Sequence, residues 1–458
     1  MSIISRRNLL QAGLTGAVAL GGEAAARPLS NRPKNFWEEA SSIIQSGPLI
    51  NFERAYRILE EENLDGVILC NPTNIFHVTG YVDRVARMHD TPMSFVLLSK
   101  DSKRRPVLVM NQFLYFYSYS DSGLQSPVDF FLFTSPDRRT EKLVASPPFI
   151  FEDIGASPLR GFEQARVSAN NSALLNGEMF PNAAACLKGA IAYLGLSKGR
   201  IAVDHDVIRA EIGDALSGIV FEGADRTMRR IRLIKSRREI ELMRLAATIN
   251  ADAAIAAVKS IRAGASHQEL RSMYSIECGK RGLAPVMMQI DTILAETSAE
   301  RVVDGTAFAI DCLSHGAGYH GDYGRTVFVG EPTKQMKRAT DAISIGWDSV
   351  RENLRPGVRY SDIKRIGVEA VRKSGYNLDI AFTPHSVGLS HTDEPGSARE
   401  LRYFVKDDLV LEENMIISVD LPVRQSGMGG SAHLEDLSLI TRTGSEQIND
   451  IGNRTIVI

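Results

Sequence analysis

At 458 residues the chain is too long for one ordinary domain and suits two, each with a core of its own. A composition 44% hydrophobic and 24% charged, with a formal net charge of -2, is that of a globular protein and excludes bulk attraction to nucleic acid or to an anionic membrane surface. No stretch beyond the N-terminus reaches the roughly 20 apolar residues that span a bilayer. The four cysteines, Cys70, Cys186, Cys278 and Cys312, are far apart and support neither a disulfide framework nor a zinc ribbon.

In chain order, residues 1–26 read as an export signal. Arg6 and Arg7 precede a Gly/Ala-rich apolar run from Leu9 to Leu20, and Ala24-Ala25-Ala26 offers a cleavage site. The paired arginines with leucines close behind resemble a twin-arginine signal, so a periplasmic or otherwise exported location is expected. Residues 29–45 are polar and Pro-containing and read as a leader. A helix begins at Phe52 and ends near Asn63, before the buried strand Gly66–Cys70. The runs Phe95–Leu98, Val107–Met110 and Ile201–Val203 are further strands, and helical patches between them define an α/β domain over 35–230. No chemistry is legible in 113–190.

Arginines and lysines cluster between Arg226 and Arg238, as a solvated linker and helix start rather than a nucleic-acid patch. Ser236 and Glu239 form a capping box, and Ile240, Met243, Ala247, Ala251, Ala254 and Val258 recur as the stripe of a long helix that opens a second domain, 236–458. Ser266 and Glu269 cap the next helix, which puts His267 in a first turn and makes it a poor ligand. Helices follow at about 334–353 and 361–374. Two hairpins are expected, Ala307–Asp311 with Tyr319–Val329 and Met415–Leu421 with His433–Ile440. The glycines Gly427, Gly429 and Gly430 read as a loop and not as a phosphate cradle.

Each of these four strands carries an acid where its neighbours predict burial: Asp311, Asp322, Asp420 and Glu435. Buried carboxylates are costly unless paired or metal-bound. Taken singly, each is more often a turn residue or a hydrogen-bond acceptor. Together they concentrate negative charge that divalent cations would neutralise, and His385 supplies a nitrogen. Such an oxygen-rich set suits manganese, iron or cobalt. Cys312 should face away from the site.

The ordered series Asp311, Asp322, His385, Asp420 and Glu435 resembles the ligand set of the creatinase/prolidase/methionine-aminopeptidase, or pita-bread, family. Tyr319–Thr326, His385–Gly388 and Leu434–Asp436 resemble its ligand motifs, and Asn71–Tyr81 resembles the N-terminal domain of prolidases and creatinases. The fold this implies is α+β: a C-terminal pita-bread domain of helices around a curved antiparallel sheet, with an N-terminal creatinase-type α/β domain. The resemblance also implies two divalent ions, with manganese expected first and iron, cobalt or zinc as alternatives, and a homodimer. Asp311 would bind one ion, Asp322 and Glu435 would bridge, and His385 with Asp420 would complete the other. Glu435 would do acid–base work, His391 would contact substrate or the developing oxyanion, and Arg325 would pair a ligand carboxylate.

The function implied is a metal-dependent hydrolase, an exopeptidase of the Xaa-Pro dipeptidase or aminopeptidase type that uses a metal-bridged hydroxide on a small peptide. Two departures stand against the pattern. Asp420 replaces the family's glutamate, and no histidine occurs between His267 and His315, where Gln289 and Asp291 are the polar substitutes. The alternative is a non-peptidase enzyme of lyase or amidinohydrolase type acting on a small molecule, with His391 or Asp393 as general base.

Overall fold

The computed structural model describes residues 35–458 except 88–91, 121, 126, 136–138, 143–153, 177, 213–215, 397–406 and 450–453. The expected export signal therefore lies outside the described residues. The short apolar runs of the first half become one mixed sheet. Its strands are β1 (Gly66–Leu69), β2 (Ser94–Ser99), β3 (Val107–Asn111), β4 (Asp129–Ser135), β5 (Glu178–Asn182), β6 (Gly199–Val203) and β7 (Ile219–Gly223), in the order β5-β4-β3-β2-β1-β6-β7. Successive residues alternate between two buried faces. Val67, Leu69, Val96, Leu98, Leu108 and Met110 point to one, and Ile68, Phe95, Leu97, Val107 and Val109 to the other. A strand buried on both sides must be apolar at every position, which is why these runs read so clearly. The illegible stretch 113–190 supplies β4 and β5 at the far edge of the sheet.

The leader reading of residues 29–45 is corrected by a helix, Phe36–Gln45, capped by Asn35, whose side chain accepts from the Trp37 amide. Phe36, Ala40 and Ile44 recur every four residues and are buried in one cluster with Met243, Ala247 and Ala254 of the long helix Arg237–Lys259. The polar residues between them face solvent and hid the pattern. That long helix begins at the predicted capping box: Ser236 N donates to Glu239 Oε2 at 2.8 Å, and Glu239 N to Ser236 Oγ at 3.3 Å. It is buried more widely than its stripe, through Leu242, Ala246, Ile249, Ala253 and Ala257, because it lies directly on a sheet.

That sheet holds β8 (Ala284–Ile290), β9 (Ala307–Gly316), β10 (Tyr319–Phe328) and, at the end of the chain, β15 (Thr455–Val457), in the order β15-β10-β9-β8. A second holds β11 (Thr383–Ser386), β12 (Ile416–Asp420), β13 (Leu437–Ile440) and β14 (Ser445–Gln447). Both predicted hairpins are present as the antiparallel pairs β9/β10 and β12/β13. The sheet expected to be antiparallel contains one parallel pair, β10/β15. A Cβ at Gly321 would lie 2.6 Å from Asn250 Cβ and 2.7 Å from the Ala246 carbonyl oxygen, so glycine sets how closely the long helix approaches β10. Helices Lys334–Asn353 and Tyr360–Lys373 cover the other sheet, burying Ile343, Trp347 and Ile363 with Ile417 and Val419. Each sheet thus has an apolar face under helices and a second face carrying the acids.

Candidate metal centre

Strand register brings the acids together. Asp311 lies opposite Gly324 and Asp322 opposite Leu313 across β9/β10, so the two carboxylates leave the same face as diagonal neighbours. In β11/β12, His385 lies opposite Ser418 and Thr383 opposite Asp420, which puts His385 and Asp420 on one face in the same way. The two sheets are joined where Gly324 N donates to Glu435 O at 3.1 Å and Glu435 N to Gly324 O at 3.0 Å. His385 Nε2 then sits 3.4 Å from Glu435 Oε1, 3.5 Å from Asp420 Oδ2 and 3.7 Å from Asp322 Oδ2. Single donor atoms of Asp322, His385 and His391 lie within 4.8 Å of one another, as do those of Asp311, Asp420, His433 and Glu435.

The site is deep. Asp322, Glu435 and His385 side chains are at most 3% exposed, whereas Asp420 is 28% and His391 38% exposed, so the centre opens on their side. Burial, followed by repulsion from Glu435, pushes Asp311 and Asp322 well above the ordinary carboxylate range. Burial alone would push His385 down, but Asp420, Glu435 and Asp322 outweigh it and hold the ring well above its usual value. Glu435 is opposed by burial and held well below its usual value by His385 and His433. Asp311 Oδ1, Asp322 Oδ1 and His385 Nδ1 meet no hydrogen-bond partner although buried. Orphaned acceptors in a buried acidic cluster fit divalent cations and are otherwise hard to account for.

The surroundings refine the sequence reading. Asp420 was expected to complete an ion site with His385. It stands between two imidazoles, with Oδ2 toward His385 and Oδ1 3.9 Å from His433 Nε2. His433 was assigned no role. The available signal was its place two residues before Glu435, which puts both side chains on one side of an extended segment. Ser418 was also overlooked. Its hydroxyl donates to Glu435 Oε1 at 2.7 Å. Arg325 holds the segment that carries Glu435. Its Nη2 binds Asp436 Oδ1 at 2.8 Å and its Nη1 the Glu435 carbonyl at 3.0 Å, which fixes the backbone that carries Glu435. His391 Nε2 lies 3.2 Å from Asp322 Oδ2, at the rim.

Asp393 is corrected as a candidate base. It is fully buried, and Arg232 grips both its oxygens at 2.8–3.1 Å. Burial opposes ionisation there, but Arg232 and Lys235 hold the carboxyl down at about 2. In place of the absent upstream histidine, Gln289 lies opposite Asp311 in β8/β9 and lines a cavity of about 50 Å³ with Asp420 and His433. Asp291 is occupied by the Ala309 amide and the Ser431 hydroxyl. His267 is buried in its first helical turn, and Cys312 faces the core, both as expected.

Fold and site together define a mixed α/β protein with a carboxylate-rich cluster, able to hold metal, between two sheets. Residues 241–442, which include Asp311, Asp322, His385, His391, Asp420, His433 and Glu435, match the model of metallopeptidase family M24. An Xaa-Pro dipeptidase of Pyrococcus horikoshii is 26% identical over 239 residues, covering 50% of this chain and 66% of that protein. A probable dipeptidase of Mycobacterium tuberculosis is 26% identical over 267 residues, covering 54% and 66%. The chain thus spans just under two thirds of the length of these relatives. Among solved structures, a dipeptidase of Pyrococcus horikoshii superposes with a TM-score of 0.62 at 17% identity, covering 89% of this chain and 99% of that one. An X-Pro aminopeptidase of Thermotoga maritima superposes at 0.60 and 18%, with the same coverage. The fold is the pita-bread fold with an N-terminal α/β domain.

Proposed function

We propose that the protein is a metal-dependent exopeptidase of the Xaa-Pro dipeptidase or aminopeptidase type. The observation that carries this reading is the convergence of Asp311, Asp322, His385, Asp420 and Glu435, with buried oxygens left unpartnered, from four strands and the extended segment before a fifth. Their donor set fits two divalent ions, held by these five residues. When bound, such ions polarise a carbonyl and lower the pKa of water to near neutrality. Glu435, oriented by Ser418, would take up a proton and pass it to the leaving nitrogen. His391, at the open rim, would donate to the developing oxyanion. The test is hydrolysis of a dipeptide panel including X-Pro members, with Mn²⁺ added. Release of the N-terminal residue from X-Pro substrates is expected, and inertness toward the whole panel by metal-loaded protein would sink the peptidase assignment.

One observation favours a second reading, a lyase- or amidinohydrolase-type reaction on the same scaffold. Gln289, not a histidine, borders the cavity beside Asp311. The base would then be His391, since Asp393 is engaged by Arg232. Manganese as the resident ion, a homodimer, a division into domains 35–230 and 236–458, and export through the twin-arginine-like segment complete the proposal. Among the described residues no helix is long and apolar enough to cross a membrane.

A further inference from the structure

His433 lies in an extended segment clamped by one hydroxyl: Thr326 Oγ1 accepts from His433 N and donates to His433 O, each at 3.0 Å. Its ring is buried. Nδ1 has no hydrogen-bond partner, and Nε2 points into the cluster, 3.3 Å from Glu435 Oε2 and 3.9 Å from Asp420 Oδ1. No structural hydrogen bond of the far nitrogen accounts for this position. The space it fills is made by Gly324, opposite Asp311 in β9/β10: a Cβ there would collide with Cδ2 and Nε2 of the His433 ring and come within 2.8 Å of Glu435 Cβ. Asp420, with a single methylene, stands 3.5 Å from His385 Nε2 and 3.9 Å from His433 Nε2.

We propose that His433 is a nitrogen ligand of the ion on the Asp311 side, admitted by Gly324, so that each of the two ions takes its own imidazole. His385 serves one and His433 the other, with Asp420 turned between them. This rests on the metal-centre reading above and deepens it. Two imidazoles among carboxylates favour ions from manganese to zinc over magnesium or calcium, which select all-oxygen sets. The obvious rival is that His433 is an imidazolium that neutralises the acids. The two roles differ in sign. Removing a competing positive charge raises metal affinity, and removing a ligand lowers it.

The experiment titrates metal-free full-length protein with Co²⁺, counts bound ions, and reads imidazole scattering by X-ray absorption, in the wild type, His433→Gln and Gly324→Ala. Glutamine keeps a hydrogen bond to Glu435 within reach but removes the ring nitrogen. Expected are two ions in the wild type. In His433→Gln, affinity for one ion falls by more than about 100-fold, beyond the roughly 10–100-fold typical of an outer partner, and the imidazole signal drops. Gly324→Ala, which crowds the ring most and Glu435 less, is expected to reproduce the fall in affinity and in imidazole signal. Two-ion binding in His433→Gln at unchanged or higher affinity, with unchanged imidazole scattering, overturns the inference while leaving the metal centre standing. Wild-type protein that takes up no Co²⁺ overturns the metal centre itself, and this inference with it.

Discussion

The seven-stranded sheet of the first half and the two four-stranded sheets of the second use the same backbone geometry for opposite purposes. In β1, β2 and β3 every residue is buried, on both faces. In β9, β10 and β12 only one face is packed under helices, and the other places Asp311, Asp322 and Asp420 where they repel one another. The first sheet is optimised for burial, which is worth about 1.5–3 kcal/mol for each large aliphatic side chain. The second pair gives up that stabilisation on one face to hold charges that only a cation makes comfortable. The difference sets a sheet buried on both faces in one region and the acidic cluster in the other.

The largest expected effect falls in the second region. Asp322→Asn should cut turnover by at least about 1000-fold, roughly 4 kcal/mol of barrier, and abolish stoichiometric metal binding. It should also raise the melting temperature of metal-free protein, because it removes one buried charge from a repelling set. Metal analysis and calorimetry on the same preparation check both signs, and a lowered melting temperature would contradict this picture of the acidic face. In the first region Leu97→Ala, at a fully buried position of β2, should cost about 2–5 kcal/mol of stability and leave turnover per folded molecule unchanged. A changed kcat would break the proposed separation of roles.

A smaller effect tests the joint between the regions, where Arg232 binds both Asn74 and Asp393. Asp393 is held at about 2, below the ordinary carboxylate value near 4. Its contribution is therefore present above the unfolded value and lost as pH falls toward the folded one. The stability difference between wild type and Asp393→Asn should shrink by about 2 kcal/mol between roughly pH 5 and pH 2. Chemical denaturation across that range would show it, and a pH-independent difference would discount the pair. Smallest is the exposed Arg237–Glu241 pair on the long helix, 3.1 Å apart. Arg237→Ala should leave the melting temperature unchanged within error.

The capping box at Ser236, the alternating strands and the spacing of Asp311, Asp322, His385, Asp420 and Glu435 were legible because each is a local pattern with a local cause. Backbone periodicity decides which side chains share a face, and buried charge advertises itself against apolar neighbours. The helix Phe36–Gln45 was missed because its apolar positions mean nothing until the helix Arg237–Lys259 stands beside them. Asp393 looked like a free base next to His391, yet its partner Arg232 lies 161 residues earlier in the chain.

By itself, then, the sequence determined the central strands of the first sheet, the two hairpins of the second half and the acids those hairpins carry, since these follow from residue type and period. Only the tertiary structure decided which faces meet. The Gly324–Glu435 ladder joins the two sheets, turns Asp420 between His385 and His433, and brings an imidazole to each half of the centre. Contacts of that kind depend on the three-dimensional closure of distant segments, and no local periodicity records them.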